Sequence, residues 1–278
     1  MSALDRFRLP KKFKLREQDA DDAGLSSRAA DPDLSKSDAK ALDREQMARL
    51  IAQIDTLQTK LYAQRQRKVL LVLQGMDTSG KDGTVRALFS QISPMGLRAV
   101  GFKQPTDIEL AHDYLWRIHQ QVPVKGEIVV FNRSHYEDVL ITLVQEMIDA
   151  DEAKRRYAQI ADFERMLSET GTTIVKIFLH ISKDEQRERL QARLDDPEKQ
   201  WKFDPNDVVQ RKKWDDYQRA YEQALTATDA DHAPWYVVPA NAKPKRDLAV
   251  ASILLATLEQ MKLDFPESDP KLAKTIIE

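Results

Sequence analysis

The chain has 278 residues, with 43 Lys and Arg against 45 Asp and Glu, so its formal net charge is only −2. This balance points to no nucleic-acid partner, and no apolar run approaches the ~20 residues that span a bilayer. Cys is absent, which excludes disulfides, thiolate metal sites and cysteine nucleophiles. The first residues are charged and lack the apolar stretch of a signal peptide. We therefore expect a cytoplasmic protein without a membrane partner.

Residues 1–40 predict a polar arm with a basic beginning. Residues 17–40 are polar, acidic and rich in Ser and Ala. Such a segment has too little apolar surface to fold alone. It either lies against the following domain or a neighbouring subunit, or it is a solvated tail.

A single large α/β domain is predicted over residues 41–265, followed by a tail over 266–278. Helical periodicity covers residues 41–64, and apolar strands then alternate with helices, which is typical of a parallel sheet covered on both faces. The predicted strands are 68–74, 98–103, 127–132, 173–181 and 235–239. The predicted helices are 84–93, 107–120, 134–148, 152–169, 183–195, 205–227 and 245–262.

Residues 75–81 form a glycine-framed loop between an apolar strand and a helix start. The loop fits G-x-x-x-x-G-K, from Gly75 through Gly80 to Lys81. In such a loop the backbone N–H groups cradle phosphate oxygens, the lysine adds a point charge, and the helix N-terminus adds its dipole. The context predicts a three-layer α/β/α P-loop kinase fold with five parallel strands. The alternative is a glycine turn in an ordinary βα unit, which would need no lysine there.

Two aspartates in this loop depart from the usual pattern. Asp82 stands where a Ser or Thr hydroxyl normally holds Mg²⁺, and Asp77 places a carboxylate inside a loop built for anions. A bound cation would explain both carboxylates. The loop is thus a candidate for phosphoryl transfer with an unusual metal arrangement.

A second group of polar residues follows the predicted strand 127–132. A P-loop protein usually ends this strand in a metal-binding aspartate, but here the residue is Asn132. Arg133 is placed to bind phosphate, or else to pair with Glu137 or Asp138. His135 is either an acid–base group or a structural hydrogen bonder.

Residues 183–213 predict a mobile helical lid. Asp195-Asp196-Pro197 interrupts the helical pattern, and Trp201 and Phe203 precede a new helix. Lids of this kind close over phosphates and exclude water. The alternative is an amphipathic, salt-bridged helix pair.

With these motifs in view, the chain closely resembles the polyphosphate kinase 2 family over about residues 45–262. The matching stretches are 75–84, 131–139, 201–203 and 213–217, with familial features at Pro105-Thr and Asp113-Tyr-Leu-Trp-Arg. Some members read Phe-Asp-Arg-Ser-Trp-Tyr-Asn-Arg where this chain has Asn132, His135, Glu137 and Asp138. These replacements resemble the branch that accepts AMP as well as ADP.

The resemblance implies transfer of a terminal phosphate between inorganic polyphosphate and adenine, or also guanine, nucleotides. It implies Mg²⁺, with Mn²⁺ as an alternative, and a homo-oligomer, a dimer or a tetramer. The implied catalytic residues are Asp77, Lys81, Arg133 and Asp138, with Asp77 and Asp138 as metal ligands. Nucleotide and phosphate contacts are assigned to Gly75, Met76, Thr78, Ser79, Gly80, Asp82, Gly83, Thr84, Asn132, His135 and Glu137. Cationic side chains that could line a polyphosphate channel are Lys103, Arg117, Arg133, Arg189, Arg193, Lys202 and Arg211.

Two alternative functions remain at this point. An ATP-dependent nucleoside monophosphate kinase would keep the fold and change the donor. A GTPase-like switch or non-catalytic nucleotide binder is the other alternative, although the guanine-reading Asn-Lys-x-Asp is replaced by Asn241-Ala-Lys-Pro.

Overall fold

The computed structural model of the protein describes residues 1–21, 24–270 and 277. Its centre is a five-stranded parallel sheet in the order β2-β3-β1-β4-β5. The strands are β1 Lys68–Gln74, β2 Leu97–Gly101, β3 Ile128–Asn132, β4 Thr172–His180 and β5 Trp235–Pro239. Each lies within one or two residues of a predicted strand, so the predicted parallel α/β sheet is confirmed.

Helices cover both faces of this sheet. Their bounds are α1 Ala3–Phe7, α2 Ser27–Ala30, α3 Lys36–Gln64, α4 Lys81–Phe89, α5 Asp107–Leu110, α6 Trp116–His119, α7 Glu137–Val144, α8 Ala150–Glu169, α9 Lys183–Asp195, α10 Pro205–Arg211, α11 Trp214–Thr228 and α12 Lys243–Gln260. Short 3₁₀ segments occupy Glu17–Asp21 and Gln200–Lys202. The central strand β1 is fully buried from Val69 to Leu73, as a strand covered on both faces requires.

Two predictions of one continuous helix are wrong. Residues 107–120 form α5 and α6, because the Asp113 carboxylate accepts the Leu115 N–H at 2.9 Å and turns the chain between them. Residues 205–227 form α10 and α11. At their junction the Lys213 Nζ donates to the Val144 carbonyl at 3.0 Å, and Trp214 is buried in the core.

The N-terminal arm lies against the domain. Phe7 and Leu9 are buried, and the Leu9 N–H donates to the Trp235 carbonyl at 2.9 Å. Arg8 forms an ion pair with Asp229. The few apolar residues of the arm therefore complete the core beside β5. Residues 22–23 of the arm, and residues 271–276 and 278 of the predicted tail, lie outside the described part.

Among the described residues, no helix combines the length and the apolar character needed to cross a membrane.

Candidate active site

The G-x-x-x-x-G-K loop lies at the carboxyl end of the central strand β1, where parallel sheets bind ligands. Gly75 and Gly80 both have positive φ, 152° and 101°. A Cβ at Gly80 would lie 1.8 Å from an Arg246 guanidinium nitrogen, so the close approach of that arginine requires glycine. Thr78 and Ser79 carry buried hydroxyls that have no hydrogen-bond partner among the described residues. The loop thus offers unused donors as well as backbone N–H groups.

Lys81 begins α4 and is turned back over the loop. Its Nζ donates to the carbonyls of Gly75 and Met76 at 2.7 and 3.3 Å. Burial, reinforced by the positive charge of Arg133, lowers the pKa of Lys81 to about 8. An anion bound in the loop would reverse this shift, since a nearby negative charge favours the ammonium form.

Two arginines brace the loop from outside. Arg189 donates to the carbonyls of Thr78 and Ser79 at 2.8 and 3.1 Å, and also to Glu185 and to the carbonyls of residues 240 and 241. All five of its N–H groups are therefore engaged by protein oxygens. Arg246 lies 3.4 Å from the Ser79 carbonyl. Arg189, predicted from the sequence to bind polyphosphate, here holds the loop in place.

Asp77 and Arg133 meet between the end of β1 and the end of β3. An Arg133 guanidinium nitrogen lies 2.6 Å from an Asp77 carboxylate oxygen, and a second lies 4.0 Å from Glu137. Arg133 has a positive φ of 63°, a conformation that costs energy for a residue with a side chain. The strained backbone and the ion pair together hold a guanidinium beside the loop.

Asp82 and Asn132 also come together. The Asn132 side-chain amide donates to an Asp82 carboxylate oxygen at 2.5 Å, and the other oxygen lies 4.0 Å from Lys202 of the lid. The strand-end asparagine therefore orients the aspartate that stands in the usual hydroxyl position.

Two adjoining clefts open around this loop. The main cleft, about 860 Å³, runs from Lys81 under the lid formed by α9, α10 and the segment between them. Of the described residues that line it, nine are cationic and six are carboxylates, so it favours anions. Its cations are Lys81, Arg86, Arg133, Arg189, Arg193, Lys199, Lys202, Lys243 and Arg246.

The side cleft, about 110 Å³, shares Asp77 and Arg133 with the main cleft. Four carboxylates and two arginines line it among the described residues, together with Tyr217 and Tyr221. Burial and the charge of Asp77 raise the pKa of Asp207 to about 6. The charged lining residues are Asp77, Glu137, Asp204, Asp207, Arg133 and Arg211.

Several predicted site residues lie elsewhere. His135 is fully buried, its Nε2 lies 3.1 Å from Glu164, and it lines neither cleft. Asp138 is not among the residues that line the clefts; its carboxylate lies 4.0 Å from Arg117. Arg117 is itself buried and donates to the Lys103 carbonyl at 2.9 Å. The structure therefore does not bring these residues to the loop.

Other residues at the clefts were missed by the sequence reasoning. Lys243 and Arg246 follow β5 at the same edge of the sheet, so the rule that ligands bind outside the carboxyl ends of parallel strands could have identified them. Asp207, Tyr217 and Tyr221 reach the side cleft only through tertiary packing of α10 and α11. No local motif marks Asp207 or Tyr221, whereas Tyr217 ends the matching stretch 213–217.

The parallel sheet, the lysine-bearing loop at its central strand and the helical lid define a P-loop kinase fold. A model of the family described as polyphosphate kinase 2 matches residues 36–266. The chain belongs to the polyphosphate kinase 2 family, and it is an enzyme of the polyphosphate kinase class.

Individual relatives agree with this assignment. The chain is 53% identical over 234 residues to an AMP/ADP-polyphosphate phosphotransferase of Meiothermus ruber, covering 84% of this chain and 88% of the relative. It is 42% identical over 281 residues to an ADP-polyphosphate phosphotransferase of Rhodopseudomonas palustris, covering 96% of each. The crystal structure of polyphosphate kinase 2 from Arthrobacter aurescens superposes with a TM-score of 0.85 at 44% identity, covering 99% of this chain and 95% of the other.

Proposed function

We propose that the protein transfers the terminal phosphate of inorganic polyphosphate to AMP and ADP, giving ADP and ATP. The observation that carries this proposal is the contact of Asp77 with Arg133 beside Lys81, at the end of a cleft with an excess of positive charge. The similarity to a relative named for both AMP and ADP supports both acceptors. Assembly as a dimer or a tetramer stays a prediction.

The residues around the loop suit phosphoryl transfer. This reaction depends mainly on positioning and on stabilising charge, and it needs no covalent intermediate on the protein. Lys81 and Arg133 would neutralise the transferred phosphate and hold it in line with the acceptor. The lid would exclude water, which otherwise competes as a phosphate acceptor.

We propose Mg²⁺, with Mn²⁺ as the alternative, as the metal that acts at this site. Among the described residues, no three carboxylate or imidazole side chains are grouped to hold a metal ion by themselves. Mg²⁺ usually takes one or two carboxylates, with substrate phosphates and waters as its other ligands. Asp77 fits this role because it borders both clefts. Bound Mg²⁺ would supply additional neutralisation of phosphate charge.

The proposed metal role of Asp138 has weaker support. Its carboxylate lies 4.0 Å from Arg117 and lines neither cleft. Asp207 is the better second carboxylate, because it lines both clefts together with Asp77.

A substrate panel tests the proposed function. AMP, ADP and GDP are each incubated with Mg²⁺ and long-chain polyphosphate, and in parallel with Mg²⁺ and ATP. We expect phosphorylation of AMP and ADP with polyphosphate as the donor. Activity with ATP alone would identify a nucleoside monophosphate kinase instead, and no turnover with either donor would leave a nucleotide-binding protein.

The lowered pKa of Lys81 predicts that anion binding depends on pH. In the free protein Lys81 has a pKa of about 8, and a bound polyphosphate raises it. Affinity is therefore greatest below about pH 8 and falls as pH rises from 8 towards the pKa in the complex, by at most about tenfold per pH unit.

Calorimetric titration of tripolyphosphate in buffers of different ionisation enthalpy measures this proton uptake. The matched control is Lys81→Arg, which keeps the charge but does not titrate. We expect the wild type to take up more protons than Lys81→Arg at pH 8.5, and the difference to vanish at pH 6.5. Equal proton uptake at both pH values would contradict the assignment.

A further inference from the structure

A third depression, here called the outer groove, lies between α2, α3, α4 and the start of α12. Its volume is about 660 Å³. The floor is apolar, with Ala39, Met47, Ala87 and Leu248, and the rim is basic. The cations of the rim are Arg28, Lys36, Lys40, Arg44, Lys243 and Lys245.

The positive charge of this rim is not neutralised within the described part of the chain. The groove has two carboxylates, and both have other partners. Asp43 accepts the Ser27 N–H at 2.7 Å, and Asp247 pairs with Arg246 at 2.7 Å. No carboxylate lies within ion-pair distance of a rim cation among the described residues, so the rim presents free positive charge to a ligand.

Three of the rim cations form a regular row. Lys36, Lys40 and Arg44 are spaced four residues apart on α3, and all three are exposed. Residues at this spacing are neighbours on one face of a helix, and like charges placed so destabilise the helix. From Lys36 to Arg44 the helix advances eight residue steps, which is about 12 Å along its axis. An extended polyanion lying along the row would relieve the repulsion.

The outer groove adjoins the main cleft. Lys243 lines both of them. On α4, Arg86 lines the main cleft and the next residue, Ala87, lines the groove; Arg246 and Asp247 on α12 divide in the same way. A chain of phosphates that extends from Lys81 past Arg246 to Lys243 would therefore reach the groove that the row on α3 borders.

We propose that the outer groove binds the distal phosphates of a long polyphosphate chain whose terminal phosphate lies at Lys81. This inference rests on the proposed function. It adds a binding surface formed by α2, α3 and the beginning of α12, and it predicts a preference for long chains. The exposed row provides charge without a fixed set of hydrogen-bond partners, which suits a repeating polyanion better than a ligand of defined shape.

The test removes the row without touching the main cleft. The triple variant Lys36→Gln/Lys40→Gln/Arg44→Gln keeps helix-forming side chains. Affinities for long-chain polyphosphate and for tripolyphosphate are measured by calorimetry at two salt concentrations. We expect about tenfold weaker binding of the long chain, a smaller salt dependence, and unchanged binding of tripolyphosphate, because each exposed ion contact contributes modestly.

A single-site comparison controls for helix charge in general. Lys40→Gln should weaken long-chain binding, whereas Arg49→Gln should not, because Arg49 lies on the same helix outside the groove and pairs with Glu45. Unchanged long-chain affinity in the triple variant would overturn the proposal. Equal loss of affinity for long-chain polyphosphate and for tripolyphosphate would overturn it too. An altered oligomeric state with unchanged long-chain affinity would also overturn it, and would indicate that an acidic segment of a second copy occupies the groove.

Turnover measured on the same preparations separates the two proposals. If the wild type binds polyphosphate with the expected length dependence but phosphorylates no nucleotide, the proposed function is wrong and the proposal for the outer groove stands. If turnover occurs and the triple variant loses no affinity for the long chain relative to tripolyphosphate, the proposal for the outer groove is wrong and the proposed function stands.

Discussion

Replacing Asp77 with asparagine is expected to lower kcat for ADP phosphorylation by about 10²–10³-fold while leaving the fold intact. The substitution keeps the size of the side chain but removes the negative charge that lies 2.6 Å from Arg133. It also removes the carboxylate that we assign to the metal. The Asp77 side chain is 28% exposed, so losing the charge should change the unfolding free energy little.

The control for this variant is Asp184→Asn at the start of α9. The Asp184 side chain is 77% exposed, pairs with Arg187, and lies outside both clefts. The Asp184→Asn variant should retain wild-type kcat, and both variants should retain the wild-type thermal midpoint. An Asp77→Asn enzyme with near-normal kcat would mean that neither the metal nor the orientation of Arg133 depends on this carboxylate.

Replacing Lys176 with methionine is expected to destabilise the protein by about 3–5 kcal/mol, the usual result of leaving a buried charge without its partner. Lys176 is fully buried in β4, and its Nζ lies 2.6 Å from a carboxylate oxygen of buried Glu164 on α8. It also donates to the Tyr136 hydroxyl at 2.9 Å and to the Thr228 carbonyl at 2.8 Å. One ammonium group therefore links β4, α8, α11 and the segment after β3.

Urea denaturation of a double-mutant cycle measures this coupling. The double variant Lys176→Met/Glu164→Gln should recover part of the lost stability, because no unpaired charge remains buried. A loss below about 1 kcal/mol for Lys176→Met alone would contradict the account of the network. Recovery to wild-type stability with reduced kcat in the double variant would show that the network also positions Arg133.

The position of this network explains why it bears on the active site. Glu164 contacts the His135 Nε2 at 3.1 Å and the Tyr136 hydroxyl at 2.8 Å. His135 and Tyr136 follow Arg133, whose backbone has positive φ. The buried contacts hold the chain immediately after the strained residue, so its guanidinium is directed to Asp77. His135 thus serves as a structural hydrogen bonder, one of the two roles its sequence position allowed.

The parts of the fold that follow from local pattern could be predicted from the sequence. The five strands are mainly apolar runs. In residues 75–81, two glycines indicate the loop conformation and a lysine indicates the phosphate site. The breaks at Asp113 and Lys213 could not be predicted in this way, because helical periodicity continues through both. Lys176 was not identified either, since a single lysine within an apolar strand gives no sign of the carboxylate that pairs with it from α8.

In the candidate site, too, the residues in local motifs could be predicted and those placed by tertiary packing could not. Asp77, Lys81 and Arg133 belong to contiguous motifs, and the structure brings them together. Asp138 has the right chemistry in the same motif, but its position on α7 directs it to Arg117. The row on α3 is distant in the sequence from these motifs, and only packing of α12 against α3 and α4 brings it to the outer groove.

The most direct test of the central claim is ATP formation from ADP with long-chain polyphosphate and Mg²⁺ as the only other reactants. We predict ATP in amounts that exceed the enzyme concentration and grow with polyphosphate, with loss of turnover in Asp77→Asn. Wild-type protein that binds polyphosphate but forms no ATP from ADP, and no ADP from AMP, would contradict the claim.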